Sequence, residues 1–131
     1  MNKKKIELLS LSMLLIAGIA LFLFLYYQPS LTGTRVKNPD SYLLDAQRMN
    51  GTDRHTLTLK AEDSLHIHFK TEAGALRLEI KAPDGTALYS GNGTEARDFT
   101  VRIPENGAYT LTVEARQAQG TLHVQAQNAD E

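Results

Sequence analysis

Hydrophobic and polar residues follow two different patterns along this chain. From Leu8 to Tyr27 there is no charged residue, and twenty helical residues span about 30 Å, the thickness of a bilayer core. Beyond residue 40 the apolar residues alternate with polar ones, as in Leu65, Ile67 and Phe69. A period of two predicts strands with one buried and one solvated face. The pattern therefore predicts one N-terminal transmembrane helix followed by an all-β domain.

Eight short runs carry the alternation, and residues typical of turns separate them. The runs 42–49 and 87–90 are weaker than the other six, which cover 57–59, 65–69, 76–80, 99–103, 109–115 and 122–126. Seven to eight short strands at regular spacing predict a single antiparallel β-sandwich, of jelly-roll or Greek-key type.

These patterns divide the chain into four segments. Residues 1–27 are predicted to be an uncleaved signal-anchor, because the apolar run is longer than that of a signal peptide and no A-x-A-like site follows it. A cleaved signal peptide is the alternative. Residues 28–39 mix Pro, Ser, Thr, Gly and Asn, which predicts a flexible tether. Residues 40–127 are predicted to form the β-sandwich, and residues 128–131 a C-terminal tail.

Charge is distributed unevenly between the two parts. The net charge is +4 through Lys37 and −5 from Asn38 onward. Lys3, Lys4 and Lys5 precede the apolar run, so the positive-inside rule predicts a cytoplasmic N-terminus and an extracytoplasmic domain. The predicted location is the cell membrane, with residues 8–27 in the lipid bilayer. An acidic domain is repelled by phosphate backbones, which argues against nucleic acid as a partner.

Residues 70–75 are short enough to join two neighbouring strands as a hairpin, with Gly74 supplying the positive φ of the turn. Matching the apolar faces of the two strands then determines their register. This register pairs Phe69 with Leu76, His66 with Glu79 and His68 with Arg77.

His66 and His68 are the candidate metal ligands. Residues i and i+2 lie on one face of a strand, and His-x-His is a spacing found among metal ligands. A site needs a third ligand, and His55 and His123 fall on other predicted strands. A solvated polar face is the simpler interpretation, so no metal or cofactor is assigned. The chain has no cysteine, which excludes disulfides and thiolate metal sites.

Motifs of common enzymes are absent from the sequence. There is no G-x-S-x-G, H-E-x-x-H, P-loop or G-x-G-x-x-G, so we expect no enzyme and assign no catalytic residue. Sugars usually stack on exposed aromatic rings, but the chain has no Trp. Phe69, Phe99 and Tyr109 fall on predicted core faces, which leaves Tyr42 and Tyr89 as the aromatic residues to form such a surface.

Two stretches of the domain are LRLEIKAPDGTALYSGNG and FTVRIPENGAYTLTVEARQAQGTLHV. They resemble small exported bacterial β-sandwich proteins of the GOLD and prepeptidase C-terminal types, and the resemblance covers roughly residues 63–125. It is carried by Pro83-Asp84-Gly85, Tyr89, Gly107, Tyr109 and Gly120. It implies a binding or accessory module without shared catalytic residues.

The resulting hypothesis is a membrane-tethered, non-enzymatic extracytoplasmic interaction module with a protein partner at the membrane surface. The alternative is a sandwich that binds a small ligand, a carbohydrate or a metal through the face of His66 and His68.

Overall fold

An apolar helix and six antiparallel strands make up the computed structural model, which describes residues 3–26, 28–95 and 97–129. The elements are α1 (Lys3–Tyr26), β1 (Ser30–Asn38), β2 (Ser41–Leu59), β3 (Ser64–Lys81), β4 (Ala87–Gly91), β5 (Arg97–Arg102) and β6 (Gly107–Gln127). The prediction of an antiparallel all-β fold behind an N-terminal apolar helix is confirmed.

Helix α1 lies outside the protein core. Its apolar part, Lys3–Phe24, reaches a mean hydropathy of 2.4 in an 18-residue window, none of which is buried. Its large apolar side chains between Leu9 and Phe24 are 46% to 73% exposed. Such exposure on a helix in water is unfavourable, because each large apolar side chain gains about 1.5–3 kcal/mol on burial.

The six strands belong to one sheet in the order β1-β2-β6-β3-β4, and β5 also pairs with β3. Strands β4 and β5 share the outer edge of β3: β4 pairs with residues 78–81 and β5 with residues 64–69. Three strands are unusually long, with 19 residues in β2, 18 in β3 and 21 in β6.

Bulges interrupt all three long strands at the same level. The register of β2 against β6 shifts between Ala46 and Gly51, and that of β3 against β6 shifts between Thr71 and Ala75. Bulges bend a strand and increase its twist. We call this line of bulges, residues 46–51, 71–75 and 116–119, the crease. On one side of it lie β1, β5, the first halves of β2 and β3 and the second half of β6. On the other side lie β4, the second halves of β2 and β3 and the first half of β6.

Buried residues from both sides of the crease form a single core. The first side contributes Tyr42, Leu44, Leu65, Phe69 and Leu122, and the second contributes Leu57, Leu78, Ile80, Tyr109 and Leu111. The alternating burial of β3 and β6 shows the period of two that the sequence predicts. The sandwich is therefore one sheet folded at the crease.

The predicted number of strands differs from the observed six because several runs merge. Runs 42–49 and 57–59 are both part of β2, runs 65–69 and 76–80 are both part of β3, and runs 109–115 and 122–126 are both part of β6. A glycine or asparagine between two alternating runs is compatible with a turn and with a bulge. The pattern by itself does not distinguish these two.

The predicted hairpin at 70–75 is wrong. Gly74 does have a positive φ, of 69°, but it lies in a bulge inside the continuous strand β3. Phe69 therefore pairs with Leu122 and Leu76 with Ala115, both on β6. Consequently His66 does not face Glu79, and His68 does not face Arg77.

The prediction of a flexible tether over 28–39 does not hold for residues 30–38. These residues form edge strand β1, which pairs with β2 from Ser30 opposite Asn50 to Asn38 opposite Ser41. Only Leu31 and Asn38 are partly buried in β1. An edge strand with both faces largely solvated shows no alternation, which explains why the sequence pattern missed it.

Candidate functional site

A row of charged and titratable side chains crosses the outer face of the sheet beside the crease. His68 on β3 lies directly opposite Asp98 on β5 and opposite His123 on β6. The His68 Nδ1 atom is 2.8 Å from Asp98 Oδ1, and the His123 Nε2 atom is 3.2 Å from Asp45 Oδ1. The centres of the two imidazole rings are 6.2 Å apart. We call Asp98, His68, His123 and Asp45 the histidine row.

The other predicted candidate, His66, lies beside this row rather than in it. It faces Thr100 on β5 and Gln125 on β6. His66, His68 and His123 nevertheless line one shallow depression of about 270 Å³. Within the described residues, no group of three or more His, Asp or Glu side chains is arranged to hold a metal ion. Pairing across strands therefore gives His68 the partner His123, which its spacing to His66 did not indicate.

Solvent limits how much the histidine–aspartate contacts of the row stabilise the fold. The side chain of His68 is 41% exposed and that of Asp98 is 84% exposed. Exposed ion pairs contribute about 0–1 kcal/mol. The contacts of this row determine the orientation of the imidazoles more than they determine stability.

The fourth histidine, His55, belongs to a separate polar cluster between β1 and β2. Its Nε2 atom lies 2.7 Å from the carbonyl oxygen of Asn38. Its ring centre is 6.0 Å from that of Tyr42, so it contributes nothing to the histidine row.

Tyr42 and Asp53 connect the two sides of the folded sheet in this cluster. The fully buried Tyr42 donates its hydroxyl hydrogen to Asp53 Oδ2 at 2.9 Å. Lys37 Nζ donates to Asp53 Oδ1 at 2.7 Å, and Arg35 Nη1 lies 3.6 Å from Asp53 Oδ2. We call these four residues the β1 clip. The prediction that Tyr42 is available as an exposed aromatic residue is wrong, because its ring is part of the core.

The β1 clip shifts the pKa of both acidic groups in it. Burial would raise the pKa of Asp53, but hydrogen bonds from Lys37 and Tyr42, with the charge of Arg35, hold that pKa below its usual value. Burial and the neighbouring Asp53 carboxylate raise the pKa of the Tyr42 hydroxyl. Both shifts follow from a structural network that stabilises the fold.

An aromatic notch of about 310 Å³ lies at the sheet edge between β4 and β5. The half-buried rings of Tyr89 and Phe99 meet there with their centres 4.7 Å apart, and the buried Phe69 also lines the notch. The loop over it contains Gly93, with φ of 60°, whose backbone packs directly on the Phe69 ring. Polar residues at its rim are Asn92, Thr94, Glu95 and Arg97.

A larger cleft, of about 550 Å³, lies along the crease. It is lined by Arg77 and Arg116 together with Glu114 and Asn50. The Asn50 side chain accepts a hydrogen bond from the backbone N–H of Gln117 at 2.8 Å. This contact connects β2 to β6 where the ladder between them is interrupted.

Comparisons with known proteins give similarity to solved structures and no family. No protein-family model matches the chain, and no curated protein matches it. Among solved structures, the chain is similar to PliG of Aeromonas hydrophila, a periplasmic inhibitor of g-type lysozyme, with a TM-score of 0.46 and 18% identity. The match covers 75% of this chain and 89% of that chain. The resemblance to GOLD-type and prepeptidase C-terminal-type domains is not tested by these comparisons and stays a prediction.

Proposed function

We propose that this protein is a membrane-tethered, non-enzymatic interaction module of the extracytoplasmic space. The observation that carries the proposal is the apolar helix α1, whose apolar window is not buried in the protein and which is long enough to cross a bilayer. The folded sheet covers none of its apolar window, so lipid is the environment that fits it. Lys3, Lys4 and Lys5 at its start favour a cytoplasmic N-terminus.

The short connection between helix α1 and strand β1 favours a role close to the membrane surface. The helix ends at Tyr26 and β1 begins at Ser30, so at most about 14 Å separate these two Cα atoms. Ser30 pairs with Asn50, and Pro29 packs against Gly51. The crease is therefore the end of the sandwich nearest to the helix. A partner at the membrane surface lies within reach of it.

The positions of the groups with shifted pKa values favour a binding role over catalysis. Active sites concentrate titratable groups with perturbed pKa values. Here the shifted groups are in the β1 clip and at Asp84, whose exposed carboxylate accepts the Thr86 backbone N–H in a turn and thereby has a lowered pKa. Within the described residues, every buried side-chain polar atom has a hydrogen-bond partner. Each of these groups already has a structural role.

Cell fractionation with protease treatment tests the anchoring. We expect the full-length mass in the membrane fraction, and protease added from outside should remove the domain. Replacing Leu15 and Ile19 together by Arg should abolish insertion, because each Arg near the helix centre costs about 2.5–3.5 kcal/mol. The matched Leu15→Ala/Ile19→Ala variant should remain in the membrane. A mature protein that begins near residue 21 or 30 and is released in soluble form would contradict the proposal.

Site-specific photo-crosslinking in the membrane tests the interaction role. Probes at Thr34, Thr56 and Thr100 sample the β1 edge and the outer faces on the two sides of the crease. We expect one discrete protein adduct from one of these surfaces. Equal, diffuse labelling from all three would contradict a specific partner.

The alternative function, binding of a small ligand or carbohydrate, is favoured by the aromatic notch rather than by His66 and His68. Tyr89 and Phe99 provide ring surface beside the amide of Asn92 and the ion pair of Glu95 with Arg97, which are 3.1 Å apart. NMR titration with N-acetylglucosamine oligomers tests it. Shifts confined to the notch and lost in Tyr89→Ala support this function, and unchanged spectra exclude it for these sugars.

A further inference from the structure

We propose that His68 and His123 form a binding site for a borderline divalent metal ion such as Zn²⁺ or Ni²⁺, a property independent of membrane tethering. Neighbouring strands place these residues directly opposite each other on the outer face. Imidazole is a preferred ligand for both ions.

The separation of the two rings is compatible with one shared ion. Zinc is bound by imidazole nitrogen at about 2.0–2.1 Å. The ring centres are 6.2 Å apart, close to the largest separation at which both rings can hold one ion, so a tetrahedral angle requires the rings to move closer together. Because both side chains are more than 40% exposed, rotation about their side-chain bonds is enough to complete the geometry. The backbone ladder of β3 and β6 stays unchanged.

Two carboxylates prepare the histidines for this role. Asp98 accepts a hydrogen bond from Nδ1 of His68, which leaves Nε2 as the nitrogen with a free lone pair. Asp45 does the same at Nε2 of His123, which leaves Nδ1. A carboxylate on the second ring nitrogen is the usual outer partner of a metal-bound histidine, since it determines the tautomer and increases ligand basicity. The two negative charges also offset the charge of the ion.

His66 is the matched control within the same depression. It lines that depression with His68 and His123, but within the described residues it has no carboxylate partner of this kind. The proposal therefore gives it no share in binding. His68 and His123 supply two protein ligands, so water must supply the third and fourth, and this site is weaker than one with a third protein ligand.

Isothermal titration calorimetry of the full-length protein, in detergent micelles and without a polyhistidine tag, tests the site with ZnCl₂ and NiCl₂. We expect one ion per chain. His68→Ala and His123→Ala should each weaken binding by more than about tenfold, and Asp98→Asn by about 10–100-fold. His66→Ala should leave the affinity within about twofold, which is the scatter of a non-ligand surface substitution.

Three results would overturn the site. They are no binding by the wild-type protein, binding that survives both His68→Ala and His123→Ala, and loss of binding in His66→Ala. Urea unfolding checks that each variant is folded, because these exposed substitutions should leave the midpoint of the unfolding transition unchanged. For a variant with a changed midpoint, zinc-induced NMR shifts of the wild-type imidazoles decide: shifts at His68 and His123 support the site, and their absence rejects it.

Discussion

Replacing Gly74 by Ala should strongly destabilise the folded sheet, because the crease leaves no room for a side chain there. Gly74 has a φ of 69°, and a Cβ at this position would collide with the carbonyl group of Gln117 on β6 and lie 2.6 Å from the carbonyl oxygen of Arg116. These are backbone atoms of the neighbouring strand. They move only if β3 and β6 separate.

The expected cost combines two effects. A residue other than Gly in the left-handed region costs about 1–2 kcal/mol. Opening the ladder at the crease loses about two backbone hydrogen bonds at about 1 kcal/mol each, with further loss from unsatisfied buried groups. The total is about 3–5 kcal/mol, a large part of the 5–15 kcal/mol that typically stabilises a domain.

Gly85→Ala is the matched control. Gly85 also has a positive φ, of 90°, but no atom lies within 4 Å of a Cβ built there. It should cost only the conformational part, about 1–2 kcal/mol. Urea unfolding of both variants, followed by circular dichroism, measures the difference. Equal destabilisation would refute the close approach of β3 and β6 and with it the folded-sheet geometry.

Three further predictions concern the β1 clip and the edge of the core. The Asp53 carboxylate has a lowered pKa in the fold. Its contribution to the free energy of unfolding is therefore complete above about pH 4 and is lost as the pH falls below that value. In the Asp53→Asn variant, the free energy of unfolding should depend less on pH in this acid range. The Tyr42 hydroxyl has a raised pKa, so the free energy of unfolding should fall above about pH 10, where only the unfolded chain ionises, and Tyr42→Phe should reduce this fall. Phe99→Ala should lower the free energy of unfolding by about 1–2 kcal/mol, less than the about 3–5 kcal/mol of a fully buried Phe, because Phe99 is half-buried. In the same urea experiment Thr100→Ala should change it by no more than about 0.5 kcal/mol. Equal effects of the two substitutions would contradict the assigned faces.

Local chemistry was enough to predict the element types and most of the core. The uncharged run after Lys3–Lys5 predicted helix α1 by its length and hydropathy alone. The alternation of Leu65, Ile67 and Phe69 predicted which side of β3 is buried, since successive side chains point to opposite faces. Both are properties of neighbouring residues, which need no knowledge of partners.

Only the tertiary structure decided which strand segments pair with each other. A positive-φ glycine such as Gly74 suits a hairpin and a bulge equally, and the contacts with Gln117 across the crease select the bulge. That selection moves His68 from a predicted arginine to Asp98 and His123. Pairing between distant segments depends on packing energies summed over the whole sheet, and a local pattern carries no information about them. The helix and the strand faces are thus consequences of the sequence read locally, whereas the crease, the β1 clip and the histidine row are consequences of the fold.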